Sequence, residues 1–146
     1  MKRIFLSLSL MLTIAATTFA SNELNVTDQV RQSFKKEFAR AEYVTWSDMG
    51  TYFKATFILG GHRAEAYFNT DGEFAGSVRD LFYDQLPLAV MKSVDSRYTA
   101  ASILDVREVA SADEITYRVT LEADGTKYRI KVNAGGTITE TEKVMK

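Results

Sequence analysis

Residues 53–68, FKATFILGGHRAEAYF, decide the fold of this chain. The segments 53–57 and 64–68 alternate apolar with polar side chains, which predicts two strands with one buried face each. Gly60 and Gly61 between them both accept a positive φ, so they predict a two-residue hairpin turn. The stretch is therefore expected to form an antiparallel hairpin that turns its phenylalanine and alanine side chains toward a core.

The second half of the chain repeats this pattern, mostly without repeating the residues themselves. Residues 117–121 and 128–132 alternate in the same way around Asp124-Gly125, another dipeptide typical of a tight turn. A short apolar strand precedes each hairpin, and a stripe of apolar residues at helical spacing precedes each strand. The two stripes, 60 residues apart, are Val30, Phe34, Phe38 and Ala41 in the first half and Val90, Val94, Tyr98 and Ala101 in the second.

A unit of one helix and four strands therefore occurs twice. The short strands lie at 43–46 and 103–106, and Thr27 and Pro87 are suited to the start of the two helices. These elements predict an α+β fold of two tandem helix-plus-four-strand repeats, forming one antiparallel sheet with both helices on one face. We expect a single domain at 21–146, made of a repeat at 26–84 and a repeat at 85–146.

The first twenty residues have the pattern of a secretory signal peptide. Lys2 and Arg3 precede an apolar run of about ten residues, and small residues at Thr18 and Ala20 suit cleavage after Ala20. The run is shorter than the roughly twenty residues that span a bilayer. We expect a cleaved signal peptide at 1–20, a periplasmic or secreted protein, and no membrane insertion after cleavage. The chain contains no cysteine, which excludes a lipoprotein anchor and disulfide bonds.

The composition of the mature chain argues against several functions. Without Lys2 and Arg3, the 18 basic residues fall to 16 against 19 acidic ones, a formal charge of −3. No concentrated basic surface is visible, so nucleic acid is not an expected partner. His62 is the one histidine, which is too few for a His-rich zinc site, and no catalytic motif surrounds it. Asn69, Asp71 and Gly72 fit turn chemistry better than a calcium loop. The sequence therefore predicts no cofactor and no enzyme.

The outer face of the predicted sheet carries the candidate binding residues. A solvated sheet face ordinarily shows threonines and alternating charges, and that description fits the second repeat. The first repeat differs, because Tyr52, Ile58 and Tyr67 would expose large surfaces beside charged neighbours, as at protein-recognition sites. Partner binding and a plain solvated face both remain open here. The candidate partner-binding residues are Tyr52, Lys54, Ile58, Arg63, Tyr67, Arg118 and Arg129.

The chain resembles the PepSY-like proteins, whose fold is related to that of the β-lactamase inhibitory protein. The order of short motifs carries the resemblance, from about residue 26 to 144: Val44-x-Trp46, Tyr52-x-Lys54-Ala55-x-Phe57, Ala66-Tyr67-Phe68-Asn69-x-Asp71-Gly72, and Leu86-Pro87. The chain departs from the pattern in having Phe38-Ala39 where relatives often have Tyr-Pro. The second repeat departs from the first at Val106 and Gly135, which replace Trp46 and Asp71.

The resemblance implies an exported, non-enzymatic domain that, in its inhibitor relatives, binds protein on the open concave face of the sheet. The leading hypothesis is therefore a protein-interaction module, such as an inhibitor of an envelope enzyme or peptidase, whose partner is another envelope protein. The alternative is a carrier of a small hydrophobic or peptide ligand in the groove between the repeats. The oligomeric state stays open, because an edge strand could pair with a second copy.

Overall fold

The structure is a computed structural model that describes residues 24–144. The predicted signal peptide at 1–20 lies outside the described residues. Two helices, eight strands and one short 3-10 turn, Tyr83–Gln85, follow one another along the chain. In order, they are α1 (Asp28–Glu37), β1 (Glu42–Asp48), β2 (Tyr52–Leu59), β3 (His62–Asn69), β4 (Phe74–Asp80), α2 (Leu88–Arg97), β5 (Ser102–Ala110), β6 (Ile115–Ala123), β7 (Thr126–Asn133) and β8 (Ile138–Val144).

All eight strands form one antiparallel sheet in which the order of the strands is the order of the chain. Each strand pairs with the strand next to it in sequence, and β4 pairs with β5 to join the two repeats. The helix-plus-four-strand unit therefore occurs twice, and the predicted α+β fold is confirmed. Both two-residue hairpin turns are also confirmed, with φ of 58° and 83° at Gly60 and Gly61 and of 50° and 69° at Asp124 and Gly125.

Each repeat has its own apolar core beneath its helix. Val30 and Phe34 of α1 pack with the inward residues of β2 and β3, and Val90 and Val94 of α2 pack with those of β5, β6 and β7. The pairing register continues from one core to the other through Ala64, Arg79, Glu108 and Tyr117, so both helices lie on the same face. The buried strand residues are Phe53, Ala55, Phe57, Ala64, Ala66 and Phe68 in the first core, and Val106, Tyr117, Val119, Leu121, Ile130 and Val132 in the second.

The helices are shorter than the apolar stripes suggest. Thr27 caps α1 as predicted, accepting a hydrogen bond from the backbone N–H of Val30 at 3.3 Å. Phe38 and Tyr98 are the C-cap residues rather than helical residues, although both still pack against the cores. Pro87 lies one position before α2 instead of in its first turn. These differences are one or two residues at helix ends, where the last turn frays easily.

The segment between the repeats packs on both of them. The ring of Phe82 lies 5.0 Å from that of His62 in an edge-to-face arrangement, and the side chain of Gln85 lies 3.2 Å from the His62 ring nitrogen. Tyr83 donates a hydrogen bond to Asp95 of α2 at 2.6 Å. His62 is therefore a contact residue between the first hairpin and the linker, which its position in the sequence did not indicate.

Candidate functional site

The face of the sheet opposite the helices, called the open face here, contains all seven predicted binding residues. Side chains alternate between the faces along each strand, and Phe53, Ala55 and Phe57 point toward α1. Their neighbours along the strands therefore point away from the helices. The residues so placed are Tyr52, Lys54 and Ile58 on β2, Arg63 and Tyr67 on β3, Arg118 on β6 and Arg129 on β7.

Two tyrosines on the first repeat line a shallow cavity of about 250 Å³ together with Ala75 and Gly76 of β4. Tyr67 is paired directly with Gly76, which has no side chain to cover the tyrosine ring. Tyr52 is 44% exposed, as predicted, whereas Tyr67 is only partly exposed. The two rings and the small residues beside them therefore form an apolar recess on the open face.

The hydroxyl group of Tyr67 is held by its own strand. It donates a hydrogen bond to Glu65 at 2.8 Å, and Glu65 also accepts one from Arg63 at 2.6 Å. Burial, followed by the hydrogen bond to the Glu65 carboxylate, raises the pKa of Tyr67 above its usual value near 10. The tyrosine hydroxyl is therefore a hydrogen-bond donor at neutral pH, and the bond to Glu65 fixes its orientation.

The raised pKa of Tyr67 predicts a loss of stability at alkaline pH. Below about pH 10 the tyrosine is protonated in both states, so its contribution to stability is complete. Above that pH the unfolded chain releases the proton more readily than the folded one, and the free energy of unfolding falls. The Tyr67→Phe variant is expected to show a shallower alkaline decline, measured by urea unfolding across a pH series. An identical decline in both proteins would show that Tyr67 does not contribute to it.

A row of charged residues crosses the open face from the last strand of the first repeat to the last strand of the second. Asp80, Arg107, Arg118, Lys131 and Glu140 are direct neighbours on five successive strands, β4 to β8. We call these five residues the charged row. Arg107 contacts Asp105 at 3.1 Å and Asp80 at 3.5 Å, and Lys131 contacts Glu140 at 3.3 Å.

Arg118 lies at the centre of the charged row, between two other cations. Like charges directly opposite each other on a sheet repel. Arg118 makes no ion pair within the described part of the chain, and its side chain is exposed. Its neighbour Arg129 does have a partner, because it contacts Glu142 at 3.2 Å. The guanidinium of Arg118 is therefore available to an anionic group of a partner.

The structure separates the predicted residues into two groups on either side of β4 and β5. Between them, β4 and β5 carry Val78 and Val109, which adjoin Thr116 of β6 in the register. The same two strands also carry Asp80 and Arg107 of the charged row. The sequence also predicts a solvated open face for the second repeat, with Thr116 among its residues. That prediction is wrong for Thr116, which is 4% exposed. Tyr52 and Ile58 lie at opposite ends of β2. A partner that contacts all seven residues must therefore cover most of the sheet.

The described residues give no support for metal chemistry at this face. Residues 24–144 contain no group of three or more His, Cys, Asp or Glu side chains that could hold a metal ion. The turn after β3 is explained by hydrogen bonds, since the Asn69 side-chain oxygen accepts from the backbone N–H groups of Asp71 and Glu73 at 3.0 and 2.9 Å. In the same range, no helix is long and apolar enough to cross a membrane.

Two further cavities bear on ligand binding. A groove of about 490 Å³ lies where the first hairpin meets the linker, and it is lined by Arg40, Glu42, Arg79 and His62 among others. The lining is mixed, because Leu59 and Leu81 belong to it as well. A small hydrophobic or peptide ligand in a groove between the repeats therefore stays a prediction. A larger cavity of about 630 Å³ lies between α1 and β1 and is lined by aromatic residues that the sequence indicated only as core.

Comparison with solved structures defines the class of fold. The chain has the fold of a BLIP-like protein from Bacteroides fragilis NCTC 9343, with a TM-score of 0.75 and 23% identity over 84% of this chain and 89% of that one. A DUF2874 family protein from Bacteroides uniformis ATCC 8492 superposes with a TM-score of 0.71 and 23% identity, covering 81% and 89% of the two chains.

A third neighbour, provisionally described as periplasmic, comes from Bacteroides eggerthii DSM 20697. Its TM-score is 0.71 at 20% identity, covering 82% of this chain and 89% of that one. No protein-family profile and no curated protein matches the chain. The BLIP-like fold is therefore established, whereas membership of the PepSY-like family stays a prediction.

Proposed function

We propose that the protein is an exported, non-catalytic binding module that recognises another envelope protein through its open face. One observation carries this proposal. In residues 24–144, no helix covers the open face, and this face has both the tyrosine recess and Arg118, an arginine without an ion-pair partner. Tyrosine and arginine are enriched at the energetic centres of protein interfaces. The recess at Tyr52 and Tyr67 would bind an apolar side chain of the partner, and Arg118 would donate hydrogen bonds to a carboxylate.

The structural neighbours support the same role. One is described as BLIP-like and another as provisionally periplasmic, which is consistent with an exported protein that acts by binding. Inhibition of an envelope enzyme or peptidase is the specific form of the proposal, and it rests on the likeness to the BLIP-like protein.

The test is affinity capture from native envelope extract with the mature chain, residues 21–146. We expect a partner that is retained by the wild type and lost with the Tyr52→Ala/Tyr67→Ala variant. The matched control is Phe82→Ala/Leu88→Ala, which removes two apolar side chains that are 68% and 62% exposed and lie outside the open face. Circular dichroism checks that each variant is folded.

The captured partner is then titrated calorimetrically against each purified variant. We expect Tyr52→Ala/Tyr67→Ala to weaken binding at least about thirtyfold, the effect of losing about 2 kcal/mol at an interface centre. The Arg118→Glu variant should also bind the partner more weakly than the wild type. This loss of affinity should be larger at low salt than at high salt, because salt screens exposed charges. Equal affinity for the wild type and the tyrosine variant would place the binding site elsewhere, and would overturn the proposal.

A further inference from the structure

The cavity between α1 and β1, called the edge pocket here, has the size and lining of a binding site. Its volume of about 630 Å³ falls within the range of roughly 300–1,000 Å³ usual for ligand pockets. The rings of Phe34 and Trp46 meet edge to face at 5.3 Å in its wall. The lining residues are Arg31, Phe34, Lys35, Phe38, Ala39, Ala41, Val44 and Trp46.

The second repeat shows how the equivalent space is filled. There, the residues 60 positions later include Met91, Tyr98 and Val106. Leu81 and Tyr83 of the chain's own linker pack against the same core as these residues. The backbone N–H of Leu81 donates to the carbonyl oxygen of Val106 at 3.0 Å, which extends the pairing of β4 with β5. Strand β4 therefore pairs with the edge of the second repeat at β5, and the side chains of Leu81 and Tyr83 cover the core beside it.

No such strand closes the first repeat within residues 24–144. β1 is the first strand of the sheet, so its outer edge has unpaired backbone groups and the edge pocket opens beside it. Val44 and Tyr43 on this edge are 37% and 82% exposed. The opposite edge, β8, carries Glu140, Glu142 and Lys143 within the strand, the kind of charged residues that discourage strand addition. The charged residues of β1, Glu42 and Asp48, are confined to its two ends.

The charges around the two spaces are different. In the second repeat the Tyr83 hydroxyl donates to Asp95 at 2.6 Å and to the carbonyl oxygen of Met91 at 3.3 Å. The equivalents of Asp95 and Met91 in the first repeat are Lys35 and Arg31, both of which line the edge pocket. Neither cation makes an ion pair in the described part of the chain. The Asp95 carboxylate is thus replaced by the Lys35 ammonium group, and the Met91 side chain by the Arg31 guanidinium, whose Nε also donates to the carbonyl oxygen of Val26 at 3.4 Å. Two cations stand where the second repeat has one anion, so the complementary group is an anion.

We infer that the edge pocket and β1 bind an extended acidic segment of a partner protein. The segment pairs antiparallel with β1 as β4 pairs with β5, places bulky apolar side chains against Phe34, Phe38 and Trp46, and brings a carboxylate to Lys35 and Arg31. Main-chain hydrogen bonds supply affinity in such strand addition, and the side-chain pocket supplies specificity. This site lies at the sheet edge, separate from the open face.

The test uses a peptide copied from the chain's own closing segment, residues 76–86, GSVRDLFYDQL. Trp46 is the one tryptophan in the protein and the peptide has none, so tryptophan fluorescence reports occupation of the edge pocket. We expect a saturable change in emission with the full mature protein. The peptide with Tyr83→4-carboxyphenylalanine, which presents a carboxylate in place of the hydroxyl, is expected to bind about fivefold more tightly, as one exposed ion pair allows.

Matched variants test the ion pair and the strand pairing one at a time. Lys35→Glu should abolish the preference for the carboxylate peptide, whereas Lys36→Glu, the same charge change on the same helix outside the edge pocket, should preserve it. Leu81→Pro in the peptide should abolish binding, because it removes the N–H that pairs with the strand edge.

Four results would overturn the inference. The first is that neither peptide produces a saturable change in Trp46 emission, and the second is that the Lys35→Glu variant still prefers the carboxylate peptide. The third is that Trp46 emission responds to dodecanoate but to no peptide. The fourth is that the emission changes with protein concentration alone. The third would indicate a lipid-like ligand, and the fourth would indicate that a second copy occupies the site.

Discussion

The Phe57→Ala variant is expected to lose about 3–5 kcal/mol of its free energy of unfolding. Phe57 is 1% exposed, and its ring centroid lies 5.0 Å from that of Phe34 and 4.9 Å from that of Phe38. Its removal therefore leaves a cavity at the point where α1 meets the sheet. Small domains have a total stability of about 5–15 kcal/mol, so this single change would remove a large share.

Urea unfolding followed by circular dichroism measures this loss. The control is Phe82→Ala, which deletes the same side chain at a site that is 68% exposed and should cost about 1 kcal/mol or less. Similar losses in the two variants would contradict the description of Phe57 as the centre of the first core.

The Gly136→Ala variant is expected to be destabilised by about 2–4 kcal/mol. Gly136 has a φ of 88°, which L side chains rarely adopt, and it lies in the turn between β7 and β8. A Cβ atom there would lie 2.5 Å from the backbone carbonyl oxygen of Ala89 in the first turn of α2. Backbone atoms on both sides would have to move, because neither is the end of a flexible side chain.

Gly125→Ala separates the contribution of the contact from that of the backbone conformation. Gly125 has a φ of 69°, but a Cβ atom there would meet no atom within 4 Å. The Gly125→Ala variant should therefore lose about 1 kcal/mol of its free energy of unfolding, which is the cost of the backbone conformation alone. If thermal unfolding shows the same loss in both variants, the close approach to Ala89 does not determine the effect at Gly136.

The regular part of the fold could be predicted because local patterns specify it. The alternation at 53–57 identifies the buried face of β2, and the glycine pair after it requires a two-residue turn. The same alternation placed every candidate residue on the correct face of the sheet, since a strand has only two faces. The helix ends were less accessible, because Phe38 continues the apolar stripe although it lies outside α1.

Other features depend on neighbours that are distant in sequence. Thr116 is buried through its position in the middle of the sheet, and nothing in its own segment indicates this. The charged row depends on the register of five strands, whereas the sequence shows only the alternation within each. The edge pocket follows from β1 having no strand on its outer side in the described structure. Its signals in the sequence are the differences between the repeats at equivalent positions, Trp46 against Val106 and Lys35 against Asp95.

The identity of strand order and chain order has a consequence for how the protein folds. Each strand completes its pairing with a segment that is adjacent in sequence, so no strand has to wait for a distant partner. Such short-range topologies close small loops at low entropic cost and fold fast for their size. The core under α1 uses residues between Val26 and Phe74 only. The first repeat can thus form its core before the second repeat has folded. The strands of the second repeat can then add to the exposed edge of β4.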